Sequence, residues 1–405
     1  MTHPSQLDTI LDPTLEATAD LERCARFLDL EDWIVMRLRQ CEQEITLNTT
    51  TTARPLSAIW VRHCTACGPA AISLQVSRDV TSNSERARAM QSTWMSALYG
   101  LDFGGGAATI ILDSSELNES ALRDAIHRIG ASISDVAGHT VVYPNNFNSV
   151  AMAWLHAALQ TDVIPTGAKR SGGTRSLSYS HEPRSDEFIA FGLLELIRCA
   201  TGRLRDLRIA VQGFDPTCQS LMHQLQHHVG ARIVAVADSS GGLRDPLGLN
   251  PAALAAHEQR NGMLLGYSGA EAVVNSEVLE SDCDVLVLAS DAHQVGTQNA
   301  SRIRARVLVE VAPQAIAASS KSELSSAGKL IVTDLLCGGL AALYYCTEPN
   351  RAQLAASPRP FLRRSVRRTW SLLQQAATRW QLPPHTAAEM LAVQRVAEAI
   401  RVKGV

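Results

Sequence analysis

Residues 207–249 read as a strand, a helix and a second strand, and this stretch constrains the fold more than any other part of the chain. An apolar run at residues 208–213 precedes a helical segment at residues 219–228, and a second apolar run covers residues 231–238. Strand, helix and strand within about thirty residues, with an acid at the tip of the second strand, form the opening of a dinucleotide-binding fold. The stretch therefore predicts an α/β domain of the Rossmann type.

The turn after the first strand departs from the glycine-rich fingerprint of dinucleotide-binding proteins. That fingerprint is G-x-G-x-x-G, whereas residues 213–218 read Gly-Phe-Asp-Pro-Thr-Cys, so that Asp215 and Cys218 replace its second and third glycines. Asp215 would repel a pyrophosphate, but an acid followed by a proline is also typical of a stable helix start. Both interpretations of Asp215 stay open at this stage.

The same region still offers a set of weak candidate contacts for NAD or NADP. Asp238 follows Gly213 by about 25 residues, close to the spacing of a ribose-binding acid, although it also suits the polar end of a strand. The sequence requires no cofactor, and binding of NAD or NADP stays an open alternative. The candidate cofactor contacts are Gly213, Phe214, Asp215, Asp238, Ser239 and Ala289.

The first part of the chain alternates between helical and strand-like segments. Residues 15–45 have apolar side chains at helical spacing and predict one or two amphipathic helices. Two strands are predicted at residues 57–65 and 71–77, before a helix over residues 84–98 with Ser82 or Ser84 as its N-cap. The three glycines that follow are predicted to form a loop, Gly104-Gly105-Gly106.

Composition predicts a cytoplasmic protein with no nucleic-acid or membrane partner. The formal net charge is −3, and no apolar run approaches the length of a transmembrane helix. The first residues lack the basic and apolar regions of a signal peptide, so we interpret the nine dispersed cysteines as reduced thiols. Cys64 and Cys67 form a lone C-x-x-C, and without a second pair they predict no metal site.

Lysine usage restricts the chemistry that the chain can perform. Only four of its 37 basic side chains are lysines, and the first 168 residues contain none; the four are Lys169, Lys321, Lys329 and Lys403. Lysine can lose its proton and act as a base, whereas arginine cannot. The N-terminal part of the chain therefore has no lysine available for catalysis, whatever its fold.

The order of segments from about residue 57 to 400 resembles the glutamate/leucine/phenylalanine/valine dehydrogenase superfamily. The landmarks are Gly68-Pro-Ala70, Leu101-Asp-Phe-Gly-Gly-Gly106, Met152-Ala-Trp154, Thr166-Gly167 before Gly172-Gly173, Ile209-Ala-Val-Gln-Gly-Phe214, Val236-Ala-Asp-Ser-Ser-Gly-Gly242, Asp245-Pro-Leu-Gly-Leu249, Asn299-Ala300 and Asp334-Leu-Leu336. The resemblance implies a two-domain α/β protein, with an N-terminal catalytic-type domain, a Rossmann-type domain and a helical C-terminus. It also implies a homo- or hetero-oligomer.

Domain boundaries follow from this resemblance together with the composition. A Pro-, Gly- and Ser-rich linker over residues 166–186 separates an N-terminal substrate-type domain, residues 1–165, from a nucleotide-binding-like domain, residues 187–345. Residues 1–50 are predicted as a helical leader. Residues 346–405 are predicted to form C-terminal helices that pack across the cleft between the two domains.

The resemblance implies oxidative deamination of an amino acid, with hydride transfer to a nicotinamide and proton transfer by lysines and an aspartate. The family positions for these groups are occupied here by side chains that cannot titrate. The three lysine positions hold Ala71, Met95 and Ala107, and the aspartate position holds Phe147. We therefore predict no catalytic residue from the family set in this chain.

These replacements predict a catalytically inactive relative of the amino-acid dehydrogenases, acting as a regulatory or structural subunit or as a ligand-binding protein. Its partner would be a small-molecule ligand or a catalytically intact paralogue. One alternative is an active NAD(P)-dependent oxidoreductase that acts on a CH–NH2 group with a rebuilt site. A second alternative is a non-redox enzyme of a biosynthetic pathway, for which His63, Asp102 and Asp113 are candidate residues without a recognisable spacing.

Overall fold

A computed structural model describes residues 13–49, 56–77, 80–111, 123–124, 127, 141–144, 184–346 and 358–404. The chain divides into two units, with one division between Pro183 and Arg184 and the other between Leu391 and Ala392. The first unit combines the N-terminal residues with the last part of the chain, and the second unit comprises residues 184–391. Residues 166–183 of the predicted linker and the position of Phe147 lie outside the described residues, whereas residues 184–186 of the predicted linker belong to a helix, Arg184–Thr201.

The first unit is built on a five-stranded mixed sheet in the order β1-β2-β4-β3-β5. Strand β2 is antiparallel to both β1 and β4, whereas β3 is parallel to β4 and β5. The elements are α1 (Pro13–Phe27), α2 (Asp32–Arg39), β1 (Gln43–Thr49), β2 (Leu56–Cys64), β3 (Ala70–Ser77), α3 (Ser82–Leu98), β4 (Gly104–Ile111) and β5 (Val141–Pro144).

Two of the predictions for this unit are wrong. Residues 43–45 were predicted to be helical, but they begin strand β1. Helix α2 ends at Arg39, and the backbone hydrogen bonds of residues 43–45 are made with strand β2. The glycines Gly104–Gly106 open strand β4 instead of forming a loop. A Cβ atom at Gly105 would lie 2.0 Å from the backbone nitrogen of Thr93, so the strand needs glycine there to approach α3.

Helix α3 is closed at both ends by side chains. At its start Thr81 is the N-cap, instead of the predicted Ser82 or Ser84. The Thr81 hydroxyl accepts from the Ser84 amide at 3.1 Å, and the Ser84 hydroxyl accepts from the Thr81 amide at 3.0 Å. This reciprocal pair is a capping box. At its end Arg395 donates to the carbonyls of Ala97 and Leu98 at 2.9 and 2.6 Å. The C-terminal segment therefore satisfies carbonyls that the helix itself leaves unpaired.

The second unit is built on a seven-stranded sheet in the order β12-β11-β10-β6-β7-β8-β9. Strands β12, β11, β10, β6 and β7 are parallel, and β8 and β9 extend the sheet antiparallel at one edge. The elements are α4 (Arg184–Thr201), β6 (Arg208–Gln212), α5 (Pro216–Val229), β7 (Arg232–Ala237), β8 (Gly242–Arg244), α6 (Pro251–Asn261), β9 (Glu271–Val273), α7 (Asn275–Leu279), β10 (Val285–Leu288), β11 (Val307–Glu310), α8 (Ala318–Ser326), β12 (Leu330–Val332), α9 (Asp334–Cys346) and α10 (Pro358–Trp380). A last helix, α11 (Pro384–Lys403), contains the second division.

The parallel strands form the buried core of this unit. Val285–Leu288 and Val307–Glu310 are buried along their whole length, as expected for strands covered on both faces. Sequence reasoning predicted the strand-helix-strand opening and the C-terminal helices, but it missed the short elements β8, β9, α7 and α8. The predicted α/β class is confirmed.

Candidate functional site

The point where the strand order of the seven-stranded sheet reverses is the expected ligand site of such a fold. This switch point lies between β6 and β10, which run side by side in parallel. Gly213 follows β6 with a backbone φ of 129°, and an added Cβ would lie 3.0 Å from the carbonyl carbon of Ala289. The structure therefore brings the predicted contacts Gly213 and Ala289 together at the carboxyl ends of the two strands. Phe214, next in sequence, is buried.

The start of helix α5 is occupied by a carboxylate of the protein itself. Asp215 is the N-cap, and its Oδ1 accepts from the backbone amide of Cys218 at 2.7 Å. Pro216 is the first helical residue, where its missing N–H costs nothing. In dinucleotide-binding folds this helix start holds the pyrophosphate. Here the same partial positive charge is matched by the side chain of Asp215.

A second carboxylate lies near this helix start. Asp186, in the first turn of α4, accepts from the hydroxyl of Thr217 at 2.9 Å. Burial raises the pKa of Asp186, and the negative charge of Asp215 raises it further against the opposing hydrogen bond from Thr217. Two acidic groups at one helix start oppose the binding of a phosphate there. Sequence reasoning missed Asp186, because 29 residues separate it from Asp215 along the chain.

Asp238 is held by the loops that follow β7. Its Oδ1 accepts from the amide and hydroxyl of Ser240 at 2.7 and 2.5 Å, and its Oδ2 accepts from the amide of Leu264 at 2.8 Å. These bonds fasten residues 239–241 to residues 263–265. Ser239 itself is exposed. Asp238 therefore has a structural role at the strand end. Its hydrogen bond to a ribose stays a prediction.

A buried ionic cluster lies at the carboxyl ends of β11 and β12. Glu310 Oε2 lies 3.0 Å from Lys321 Nζ, and Glu310 Oε1 accepts from the amide of Ile316 at 3.0 Å. Asp334 accepts from the amide of Gln314 at 3.0 Å and from the hydroxyl of Thr333 at 2.9 Å. The cluster holds the loop over residues 311–317.

Lys321, the lysine of this cluster, has a side chain that is 14% exposed and is not poised as a base. Burial alone would lower the pKa of Lys321, but the charges of Glu310 and Asp334 outweigh it, so the pKa is raised. Burial raises the pKa of Glu310 to about 7, against the attraction of Lys321. A base needs a depressed amine pKa, so the structure argues against Lys321 as a replacement catalytic lysine.

In the first unit, two of the positions that we assigned from the sequence to family lysines are buried alanines on adjacent strands. Ala71 on β3 and Ala107 on β4 have no exposed surface. Ala71 pairs with Gly105, and its carbonyl accepts from the hydroxyl of Ser92 on α3 at 3.0 Å. Met95, also on α3, is half-buried. These positions therefore belong to packed sheet–helix contacts, and assigning the family roles to them stays a prediction.

A buried ion pair lies beside these positions and was missed from the sequence. Glu85 is completely buried on α3, and both its oxygens accept from Arg88, at 2.7 and 2.9 Å. The same guanidinium donates to the hydroxyl of Thr109 on β4 and to the carbonyl and hydroxyl of Ser73 on β3. The i,i+3 spacing of Glu85 and Arg88 was visible, but their burial was not. The pair ties the helix to both strands.

His63 is a core residue. It has no exposed surface, its Nε2 lies 2.7 Å from the carbonyl of Leu38, and its Nδ1 lies 2.9 Å from the hydroxyl of Thr93. Burial lowers the pKa of His63 to about 4, so the ring is neutral at pH 7. Asp102 is exposed, and Asp113 lies outside the described residues. The structure therefore gives no support for His63 in an alternative active site.

The cysteines of the C-x-x-C pair are not activated thiols. Burial raises the pKa of Cys64 to about 11 and also raises the pKa of Cys67. A reactive cysteine requires the opposite shift. Across the described ranges, no group of three or more His, Cys, Asp and Glu side chains could hold a metal ion.

Two family descriptions match the sequence. Residues 190–404 match "Glutamate/Leucine/Phenylalanine/Valine dehydrogenase", and residues 37–160 match "Glu/Leu/Phe/Val dehydrogenase, dimerisation domain". The first match alone covers more than half of the chain. This protein belongs to the Glu/Leu/Phe/Val dehydrogenase family. The resemblance read from the sequence is therefore confirmed, and amino-acid dehydrogenases are its relatives.

Several glutamate dehydrogenases are similar in sequence to this chain. The glutamate dehydrogenase of Thermotoga maritima is 26% identical over 408 residues, covering 96% of this chain and 97% of the relative. A cryptic catabolic NAD-specific glutamate dehydrogenase of Bacillus subtilis is 28% identical, covering 85% and 83%.

Solved structures confirm the two-domain dehydrogenase fold. A hetero-hexameric glutamate dehydrogenase from Thermus thermophilus, in its Leu bound form, superposes with a TM-score of 0.86 at 25% identity and covers all of both chains. The glutamate dehydrogenase of Peptoniphilus asaccharolyticus superposes with a TM-score of 0.78 at 18% identity, over 97% of this chain and 100% of that one. None of the helices in the described ranges combines the length and apolarity that crossing a bilayer requires.

Proposed function

We propose that this family member does not catalyse oxidative deamination and acts as a regulatory or structural subunit beside a catalytically intact relative. The observation that supports the proposal most is the burial of Ala71 and Ala107, the residues that we assign to two lysine positions of the family. An alanine methyl group can neither accept a proton nor orient a substrate. Restoring an amine would also require burying its charge in a packed sheet, which is costly without a partner.

The nucleotide-binding side of the fold supports the same proposal. A dinucleotide would place its pyrophosphate at the start of α5, where Asp215 already caps the helix and Asp186 lies close by. Bringing a phosphate to two carboxylates costs electrostatic free energy instead of releasing it. We therefore propose that this chain binds NAD and NADP weakly or not at all.

An unlike partner is proposed from the assembly of a similar protein. The glutamate dehydrogenase from Thermus thermophilus that superposes on this chain is hetero-hexameric and was solved in a Leu bound form. We propose that this chain likewise assembles with a relative that has retained the lysines and the aspartate. Leucine is then a reasonable first effector to test on the mixed oligomer.

The test is co-expression of this chain with an intact relative from the same genome, each with a different tag, in a host that lacks its own glutamate dehydrogenase. We expect the two chains to co-purify through either tag. We also expect the relative's kcat, or its response to leucine, to differ between the mixed and the homo-oligomer. Homo-oligomers mixed after separate purification serve as the control for exchange during handling.

Dehydrogenase activity of this chain by itself would contradict the proposal. The chain purified by itself should show no turnover of common amino acids with NAD or NADP, in either direction. Turnover above the background of the same host would instead support the alternative of an oxidoreductase with a rebuilt site. If the chain co-purifies with none of the intact relatives, the proposed subunit role is wrong. The alternative of a ligand-binding protein would then remain.

A further inference from the structure

Two histidines lie on the solvent-exposed face of helix α5, one turn apart. His223 and His227 are both exposed, and the centroids of their rings lie 4.3 Å apart with 37° between the ring planes. Residues four apart on a helix are neighbours on one face. The helix therefore presents two imidazole rings side by side to the solvent. We call them the α5 histidine pair.

The separation of the two rings is close to the separation that a shared metal ion imposes. A metal ion lies about 2.0 Å from an imidazole nitrogen, and therefore about 3.2 Å from the centroid of that ring. Two imidazoles at 90° around one ion then have centroids about 4.5 Å apart, and two at the tetrahedral angle have centroids about 5.2 Å apart. The observed 4.3 Å is closer to the first value. Ligands at right angles are typical of square-planar Cu²⁺ and Ni²⁺.

The electrostatics of the helix favour a cation at the position of this pair. Helix α5 contains no Asp, Glu, Lys or Arg, so none of its own side chains repels the ion or forms an ion pair with a protonated histidine. His227 also lies in the last turn, where the negative end of the helix dipole attracts a cation. The pair is thus a neutral nitrogen donor set at the end of the helix that suits positive charge.

The α5 histidine pair is separate from the switch point of the sheet. Asp215 caps the opposite end of the same helix, and it precedes His227 by twelve residues, a distance of about 18 Å along the helix axis. A ligand at the pair therefore does not occupy the helix start. An inference about the pair depends neither on the proposed loss of catalysis nor on the proposed subunit role.

We propose that His223 and His227 bind one square-planar divalent cation, Cu²⁺ or Ni²⁺, through one imidazole nitrogen each. Imidazole suits both ions as a ligand, and Cu²⁺ has the highest affinity among the divalent first-row ions. Two histidines four apart on a helix are also the metal-binding pair of the H-E-x-x-H motif. No group of three or more His, Cys, Asp or Glu side chains in the described ranges could hold an ion, so water completes the coordination.

The test is a calorimetric titration of the metal-free full chain with Cu²⁺, Ni²⁺ and Zn²⁺ in a buffer that does not bind metals. We expect the wild type to bind one more equivalent of Cu²⁺ and of Ni²⁺ than the double variant His223→Gln/His227→Gln. Sites elsewhere on the chain are common to both proteins and cancel in this difference. Equal numbers of sites in the two proteins overturn the proposal.

The choice of ion is tested in the same titrations. At the site that the double variant lacks, Ni²⁺ should bind more tightly than Zn²⁺, because the ring separation fits a right angle better than a tetrahedral one. Tighter binding of Zn²⁺ than of Ni²⁺ at this site would show that the ligands are not held at a right angle. The assignment to Cu²⁺ or Ni²⁺ would then be wrong.

Single variants show whether both rings hold the ion. His223→Gln and His227→Gln should each weaken Ni²⁺ binding at this site at least about tenfold, since changes behind a metal ligand already cost about 10- to 100-fold. His293→Gln is the matched control, because His293 is an exposed histidine of the same unit on a turn, and it should bind as the wild type does. If only one of the two single variants loses affinity, the proposed pair is wrong.

Thermal unfolding separates binding from folding. Because both histidines are exposed, the midpoints of the variants without metal should stay near that of the wild type. Saturating Ni²⁺ should raise the midpoint of the wild type, because the ion binds the folded helix in preference to the unfolded chain. The double variant should gain less. An equal rise in both proteins would place the ion elsewhere and overturn the proposal.

Discussion

At the scale of single residues, function in this chain is decided by which titratable groups are present and what surrounds them. Ala71 and Ala107 occupy two positions at which the sequence predicts family lysines. Asp215 caps the helix start at which dinucleotide-binding folds hold a pyrophosphate, and Asp186 lies nearby. One buried carboxylate has a charged partner, because Glu310 lies 3.0 Å from Lys321. Such pairs stabilise loops and do not provide a free base.

Glu310 gives a pH-dependent prediction at this scale. The pKa of Glu310 rises from an ordinary 4.5 to about 7 in the folded chain. Between pH 4.5 and pH 7, the carboxyl group is therefore protonated in the folded state and ionised in the unfolded state. Its contribution to stability is therefore complete below about pH 4.5 and declines as the pH rises through about 7. A pKa difference of this size corresponds to roughly 3 to 4 kcal/mol in the free energy of unfolding.

Urea unfolding of the wild type and of Glu310→Gln from pH 4.5 to 8 measures this effect. The variant keeps an acceptor for the Ile316 amide but cannot titrate. The free-energy difference between the two proteins should shrink as the pH rises across the window. A difference that stays constant with pH would show that Glu310 is already ionised in the folded protein at pH 5.

At the scale of elements, small residues and caps determine how closely helices and strands approach one another. Strand β4 passes under α3 only because Gly105 has no side chain. Helix α5 begins at Pro216 because Asp215 caps it, and an N-cap of this type contributes about 1 kcal/mol. Patterns of apolar residues predicted most of these elements, but close approach and short edge strands have no periodic signature.

Gly105→Ala tests the close approach of α3 and β4. The added methyl group would lie 2.0 Å from the Thr93 nitrogen and 2.5 Å from the Ser92 carbonyl carbon. Backbone atoms cannot move as a side chain can, so we expect a loss of about 3 kcal/mol or more in unfolding free energy.

Gly296→Ala is the matched control, because a Cβ atom there meets nothing within 4 Å. Chemical unfolding of both variants should show a large decrease for Gly105→Ala and a change of less than about 1 kcal/mol for the control. Equal stabilities would mean that α3 and β4 are farther apart than the structure describes.

At the scale of the whole molecule, membership of the Glu/Leu/Phe/Val dehydrogenase family and the fold are established, whereas the loss of activity and the assembly with an intact relative are proposals. A scaffold can be kept for assembly after its chemistry is lost, because the residues that build the core differ from those that react. Ser92, Thr93 and Gly105 hold the sheet and helix together around the altered positions.

The proposed subunit role predicts a fractional cofactor stoichiometry. In a co-purified oligomer, the number of NAD or NADP molecules bound per chain should equal the fraction of chains contributed by the intact relative. Equilibrium dialysis with quantitative mass spectrometry of the two chains measures both numbers. One nicotinamide cofactor per chain, counting every chain, would contradict the proposed electrostatic exclusion at the start of α5.

The sequence alone determined the α/β class, the family, the order of the main elements and the absence of lysine before Lys169, because apolar periodicity and residue identity are local properties. Only the tertiary structure decided which side chains meet. Asp186 lies close to Asp215, and Gly104–Gly106 open a strand. Both facts depend on the packing of segments that are far apart in the chain. Burial sets the pKa and the pairing of such groups, and burial is a property of the folded chain.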